Sequence, residues 1–275
     1  MELELKDVSK TFDKDGQPYQ VFSDVTLSVP SGQFVSLLGP SGCGKSTLLN
    51  IVAGLEEATT GQVLLNGQPI TGPGPDRGVV FQEPALMPWL NVLENVTFAL
   101  KALGKEEREE RAINYLKLVH LSKFIKAYPH ELSGGMRQRV AIARALAMDP
   151  HILLMDEPFG ALDEQTRMML HKELLAIWSQ TKKTILFVTH NIREAVQLSD
   201  RIVLMGTRPG RIIKVFEVHL PRPRLATDPE VARLEEEIMD LLGVEIEKVM
   251  KEEMGDEYGA EKGHLLHRTS SLVGD

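Results

Sequence analysis

Gly39-Pro40-Ser41-Gly42-Cys43-Gly44-Lys45-Ser46-Thr47 decides how the rest of this chain is read. The stretch fits the phosphate-loop pattern of Gly, four residues, then Gly-Lys-Ser/Thr. Its surroundings fit as well: residues 33–38 read as a short buried strand, and 46–53 as a helix ended by Gly54. Glycines at 39, 42 and 44 let the backbone curl so that N–H groups point inward, where a helix N-terminus adds partial positive charge. Lys45 places an ammonium on the β/γ-phosphates, and the Ser46 hydroxyl can ligate Mg²⁺. A glycine-rich turn with an exposed lysine is the plainer alternative. It leaves unexplained why every consensus position is filled between a strand and a helix. The stretch implies a nucleoside triphosphate site.

On its N-terminal side, Leu3, Leu5, Val21, Val25, Leu27 and Val29 alternate with polar residues. That is the period-2 signal of antiparallel strands with one buried face, and Asp15-Gly16 marks the turn between them. Phe12, at the end of the 8–11 segment, reads as core filling when taken alone. On the C-terminal side, 62–65 with Asn66-Gly67 reads as a strand and tight turn, 71–76 as a loop, and 78–81 as a strand ending at Gln82. From 91 to about 129 the apolar spacing becomes helical, with Val92, Val96, Leu100 and Leu103, then Ile113, Leu116 and Leu121. After a sharp loop at Ser133-Gly134-Gly135, a helix is expected over 136–148. Strands at 152–155, 184–189 and 201–205 then alternate with helices at 165–180 and 192–198. Such alternation implies a largely parallel sheet covered on both faces.

Ile152-Leu153-Leu154-Met155-Asp156-Glu157 puts two carboxylates at the exposed end of a buried strand, where doubly wound sheets bind ligands. Asp156 suits the Mg²⁺ sphere, and Glu157 can polarise a water toward the γ-phosphate. A strand ending in solvated acids is the ordinary alternative. Just upstream lies Leu132-Ser133-Gly134-Gly135-Met136, and the ordered set resembles the ATP-binding cassette (ABC) ATPases over roughly residues 1–225. In that resemblance 132–136 is the signature motif, Gln82 the Q-loop glutamine, 161–163 the D-loop and His190 the switch histidine. Phe12 matches the aromatic position that stacks on adenine.

The resemblance implies an α/β fold: a P-loop NTPase (RecA-like) core, an N-terminal antiparallel β subdomain and a helical subdomain inserted at about 83–150. It implies ATP hydrolysis, with ATP and Mg²⁺ as cofactors. Glu157, His190 and Gln82 would be catalytic; Ser46, Gln82 and Asp156 would hold the metal; Phe12, Gly39 to Thr47 and Asp156 would bind nucleotide. Ser133, Gly134, Gly135 and Met136 would reach the γ-phosphate of a second ATPase subunit, so the full site needs a head-to-tail dimer. Two residues depart from the family's commoner pattern. Met136 stands for the usual glutamine, and Phe12 lacks the hydroxyl or indole N–H of Tyr or Trp.

One cassette without zinc cysteines or a long coiled-coil insertion argues against a DNA-repair type. Stretches 206–212 and 220–224 look like the nitrate/sulfonate/taurine importer branch, which includes bicarbonate systems. That implies separate transmembrane permease subunits and a periplasmic or lipid-anchored solute-binding protein. It also implies a peripheral place on the cytoplasmic face of the membrane. The apolar loop 83–90 is similar to the groove that receives a permease coupling helix. An exporter cassette, or a soluble ATPase acting on nucleic acid or ribosomes, stays as the alternative.

Composition agrees with the first reading. No apolar run approaches the ~20 residues of a membrane span, the N-terminal residues do not form a secretory signal, and the single cysteine suits a reducing cytosol. From Ala226 onward 14 Asp/Glu face 5 Lys/Arg, so the net charge of −8 leaves the first 225 residues near neutral. Neither part has a basic face for nucleic acid. The acidic tail, 226–275, should hold a helix from Pro229, stopped by Gly243, whose stripe of Val231, Leu234, Ile238, Leu241 and Leu242 either docks on the body, the favoured reading because an exposed apolar face needs cover, or forms a regulatory dimer contact. A second helix is expected from 245 to about 254, and disorder over the last twenty residues.

Overall fold

The computed structural model describes residues 2–254; the expected terminal disorder lies outside them. A hairpin of β1 (Glu2–Lys14) and β2 (Gln17–Pro30) leads into the short strand β3 (Phe34–Leu38) and helix α1 (Lys45–Ala53). Strands β4 (Thr60–Leu65), β5 (Gln68–Pro69) and β6 (Arg77–Val80) follow, then helices α2 (Val92–Phe98), α3 (Lys105–Leu118) and α4 (Gly134–Ala147). The chain continues through β7 (Ile152–Asp156), α5 (Glu164–Thr181), β8 (Thr184–Thr189) and α6 (Ile192–Leu198). It ends with β9 (Arg201–Gly206), β10 (Arg211–Glu217) and α7 (Pro229–Met254).

Two sheets result. The antiparallel sheet has the order β2-β1-β4-β5, and the larger one β10-β9-β3-β8-β7-β6. Within the larger sheet β9, β3, β8, β7 and β6 run parallel, and only the edge strand β10 is antiparallel. Strand residues divide between two cores by parity. Ile152, Leu154, Leu186 and Val188 pack with α1 and the antiparallel sheet. Leu153, Met155, Ile185 and Phe187 pack with α2 to α5. Strands buried on both faces account for their unbroken apolar runs. This geometry aims the C-terminal ends of β3, β7 and β8 at one edge.

Strand β10 had no counterpart in the sequence reading. Its ladder with β9 is interrupted between Ile212 and Lys214, which breaks the alternation that would have revealed it.

The acidic tail differs from its expected form. One continuous helix, α7, runs through Gly243 rather than stopping there. A methyl group at Gly243 would meet nothing within 4 Å, so no backbone constraint requires glycine and its cost is only about 1 kcal/mol. Leu242 and Glu245, both buried, hold the helix on either side. Val231, Ile238 and Leu242 bury against α6, β9 and β10, with Leu234 and Leu241 alongside. Gly243→Ala should therefore raise stability by about 1 kcal/mol, read as a higher melting temperature.

Between β10 and α7, the Pro221-Arg222-Pro223-Arg224 segment is a latch. Arg224 is 5% exposed. Its guanidinium donates five hydrogen bonds at 2.6–3.2 Å to the carbonyls of Val196, Ser199, Val218 and Leu220. Burial, with Arg222 nearby, pulls its pKa down to about 10.

Candidate functional site

The loop that opened the sequence lies at the C-terminal end of β3 and runs into α1. Gly44 is the N-cap of α1 at φ 92°. A Cβ there would come within 2.7 Å of the Phe22 ring and 2.9 Å of Val21, so both backbone angle and space demand glycine. The Lys45 ammonium donates to the Gly39 and Pro40 carbonyls, each at 2.8 Å. It thus lies back across the loop, where it is 5% exposed.

Adjacent strands bring the acids in. The Ser46 hydroxyl donates to Asp156 Oδ1 at 2.9 Å. These are hard oxygen donors of the kind Mg²⁺ accepts when phosphate and water complete its shell. Among the described residues no three His, Cys, Asp or Glu side chains cluster as a metal cage. Burial pushes the Asp156 carboxyl above its ordinary value, and the Glu157 charge adds to this; the Ser46 hydrogen bond and Lys45 oppose it. A raised folded pKa means the carboxylate form weighs against folding. That group's contribution to stability is largest at acid pH and fades as pH rises through the folded value. Asp156→Asn should therefore raise the melting temperature of the nucleotide-free chain, most near neutral pH. It should also erase the stabilisation that Mg²⁺ adds to ATP. Thermal unfolding across pH checks both.

Glu157 sits in the left-handed region at φ 42°, with its N–H donating to the Val188 carbonyl at 3.0 Å. Its Oε2 lies 3.0 Å from His190 Nδ1. Behind His190, Glu194 is 5% exposed and accepts from Thr189 Oγ1, while its other oxygen lies 2.7 Å from His171 Nε2. A carboxylate paired with an exposed imidazole can hold and orient a water while passing a proton.

A cavity of about 460 Å³ joins these pieces. Phe12, Ser41, Gly42, Gly44, Lys45, Ser46, Thr47, Gln82 and Glu157 line it, with Tyr19 and Val21 beside them. Asp156 and His190 reach it through Ser46 and Glu157; Gly39, Pro40 and Cys43 form the back of the loop. Phe12 is no core residue, since it is 38% exposed. Ser133 to Met136 do not line this cavity. Ser133 instead caps α4, accepting from the Met136 N–H at 3.3 Å, and Gly135 approaches Thr166 of α5 too closely to carry a Cβ.

Cys43 would report nucleotide binding through alkylation only if its thiol were exposed in the loop. It is fully buried, and desolvation raises its pKa despite the nearby Lys45, so thiolate is scarce and reagents have no approach.

Sequence reading missed the scaffold around Gln82. Gln138 of α4 donates to the Phe81 carbonyl at 3.3 Å, and Arg144 to those of Pro84 and Ala85 at 2.9 and 2.8 Å. The helix that starts at Ser133 therefore also grips the Gln82 loop. Further on, the buried Asn95 amide bonds Met87, Leu90 and Asn91 and holds a loop whose tip, Trp89, is 70% exposed.

The loop after β9 closes the back of the site. A Cβ at Gly210 would lie 2.2 Å from the Cys43 carbonyl, and Gly210 exchanges backbone hydrogen bonds with Val21 and Ser23 at 2.8 and 3.0 Å. The same loop is tied to α7. Glu245, 3% exposed, accepts from the Thr207 N–H at 3.3 Å and from Arg211 at 2.9 Å.

Residues 22–160 match the family model described as ABC transporter. The chain is 46% identical over 239 residues to an aliphatic sulfonates import ATP-binding protein of Bacillus cereus, covering 87% of this chain and 95% of that one. It is 47% identical over 244 residues to a nitrate import ATP-binding protein of Synechococcus elongatus, covering 86% and 89%. Among solved structures it is similar to a dimeric, post-hydrolysis ATP-binding cassette bound to ADP and Pi. There the TM-score is 0.71 at 35% identity, over 80% of this chain and all of that one.

Proposed function

The chain belongs to the ABC transporter family of ATP-binding proteins and is an ATPase, and from that premise we propose that it powers an importer of a small anion. Lys45 and the N–H groups of the loop bind the triphosphate, Phe12 stacks on the adenine, and Ser46, Asp156 and Gln82 would hold Mg²⁺. The metal, when bound, neutralises charge on the phosphate oxygens. Glu157 accepts the proton of the attacking water, and His190 orients that water against the γ-phosphate. One observation carries this reading: Lys45, Ser46, Gln82 and Glu157 converge on one cavity, with His190 3.0 Å behind Glu157.

Ser133 to Met136, which do not line that cavity, complete the site of a second copy in a head-to-tail dimer. Trp89 and its neighbours offer the apolar surface for a permease subunit. No helix among the described residues is long and apolar enough to cross a membrane, which supports a peripheral place on the transporter. The sulfonate and nitrate relatives support an anion as cargo, delivered by a solute-binding protein outside the membrane. Deleting the gene in its host and measuring uptake of labelled sulfonate and nitrate tests the reading. Uptake lost on deletion, and restored by the wild type but not by Glu157→Gln, supports it. Undiminished uptake of both anions refutes the cargo class, and absence from the membrane fraction refutes the transporter role.

A further inference from the structure

We propose that Tyr19 is the second aromatic residue of the base subsite, supplying the polar atom that the Phe12 ring lacks. This rests on the reading of the cavity as an ATP site. Phe12 and Tyr19 are direct cross-strand partners in the β1–β2 hairpin, so their side chains leave the sheet on the same face. Both line the cavity whose other walls are the phosphate loop, Gln82 and Glu157. Both also remain accessible, at 38% and 49%.

Each ring is braced by a cation that does not itself line the cavity. The Lys10 ammonium lies 4.5 Å from the Phe12 ring centroid, and that of Lys14 5.9 Å from the Tyr19 centroid. Lys10 is in turn fixed by Glu56 at 2.7 Å and the Glu57 carbonyl at 2.8 Å. Tyr19 also borders an adjoining recess of about 410 Å³ with Val21, Gly42 and Pro209. It therefore stands where the cavity beside Phe12 continues into a second space.

The chemistry divides between the two residues. Phe12 offers a π-face and nothing polar. A purine presents ring nitrogens and an exocyclic group along its edge, and a phenol can donate to or accept from that edge. Tyr19 thus determines how well a base, rather than a bare phosphate chain, is held.

ADP binding by the full chain, measured calorimetrically, tests this without turnover, and inorganic tripolyphosphate serves as the base-free control. Tyr19→Ala should weaken ADP roughly tenfold, and Tyr19→Phe roughly threefold to fivefold, because the ring stays and the phenol is lost. Tripolyphosphate affinity should stay within about twofold for both. Unaltered ADP binding by Tyr19→Ala overturns the proposal, and unaltered binding by Tyr19→Phe overturns the polar contact. Equal loss of tripolyphosphate overturns it too, by placing the effect in the loop. If Phe12→Ala also binds ADP normally, the base does not lie against this hairpin; if the unaltered chain binds ADP no more tightly than tripolyphosphate, the nucleotide reading itself fails. If only the Tyr19 variants bind ADP normally, that reading stands and the Tyr19 assignment falls.

Discussion

Glu157→Gln is expected to bind ATP as the wild type does and to hydrolyse it about 10²–10⁴-fold more slowly. The amide keeps the volume of the side chain and can still hydrogen-bond His190 Nδ1, 3.0 Å away, so the cavity and the Lys45 contacts are undisturbed. What disappears is the basic oxygen. ATP that cannot be cleaved should accumulate on the protein, and with it the head-to-tail dimer in which Ser133 to Met136 of each copy face the nucleotide of the other. Phosphate release at saturating ATP measures the first effect, and size-exclusion chromatography with ATP the second. Hydrolysis at the wild-type rate would remove Glu157 from the proposed chemistry.

The second large effect lies at a residue that does not line the nucleotide cavity. Arg224→Ala should cost about 3 kcal/mol or more, because it strands the buried carbonyls of Val196, Ser199, Val218 and Leu220. In a domain of this size that lowers the melting temperature by roughly 6–12 °C. Arg224→Lys should recover only part, since an ammonium has three donors and no planar fork. A melting temperature within about 2 °C of the wild type would mean that these bonds add no net stability.

Sequence alone read the parts of this molecule that depend on local spacing. The phosphate loop was legible because strand, glycines, lysine and helix follow one another within a few residues. The strand before Asp156 was legible because four apolar residues end abruptly in two acids. His190 acquired meaning only through the ordered set of motifs around it. What stayed hidden depends on side chains that bond the backbone of distant segments. Arg144 holds the Gln82 loop from α4, and Arg224 reaches Val196 from beyond β10; neither leaves a periodicity or a motif behind. Tyr19 was hidden for another reason: its position matters only once the hairpin register sets it opposite Phe12. Gly243 misled because a helix stop signal is a weak preference that tertiary anchors at Leu242 and Glu245 override.

The hydrogen bonds of Glu245 to Thr207 and Arg211, and the close packing of Gly210 against the Cys43 carbonyl, make one mechanical linkage from the far half of α7 to the phosphate loop. Thermodynamic coupling of this kind is reciprocal. If seating the tail steadies the loop, nucleotide must steady the tail by the same free energy. Backbone amides around Glu245 should then exchange with deuterium more slowly when ADP is bound, and Glu245→Ala should abolish that difference while weakening ADP. The acidic extension would then be a readout of the occupancy of its own active site.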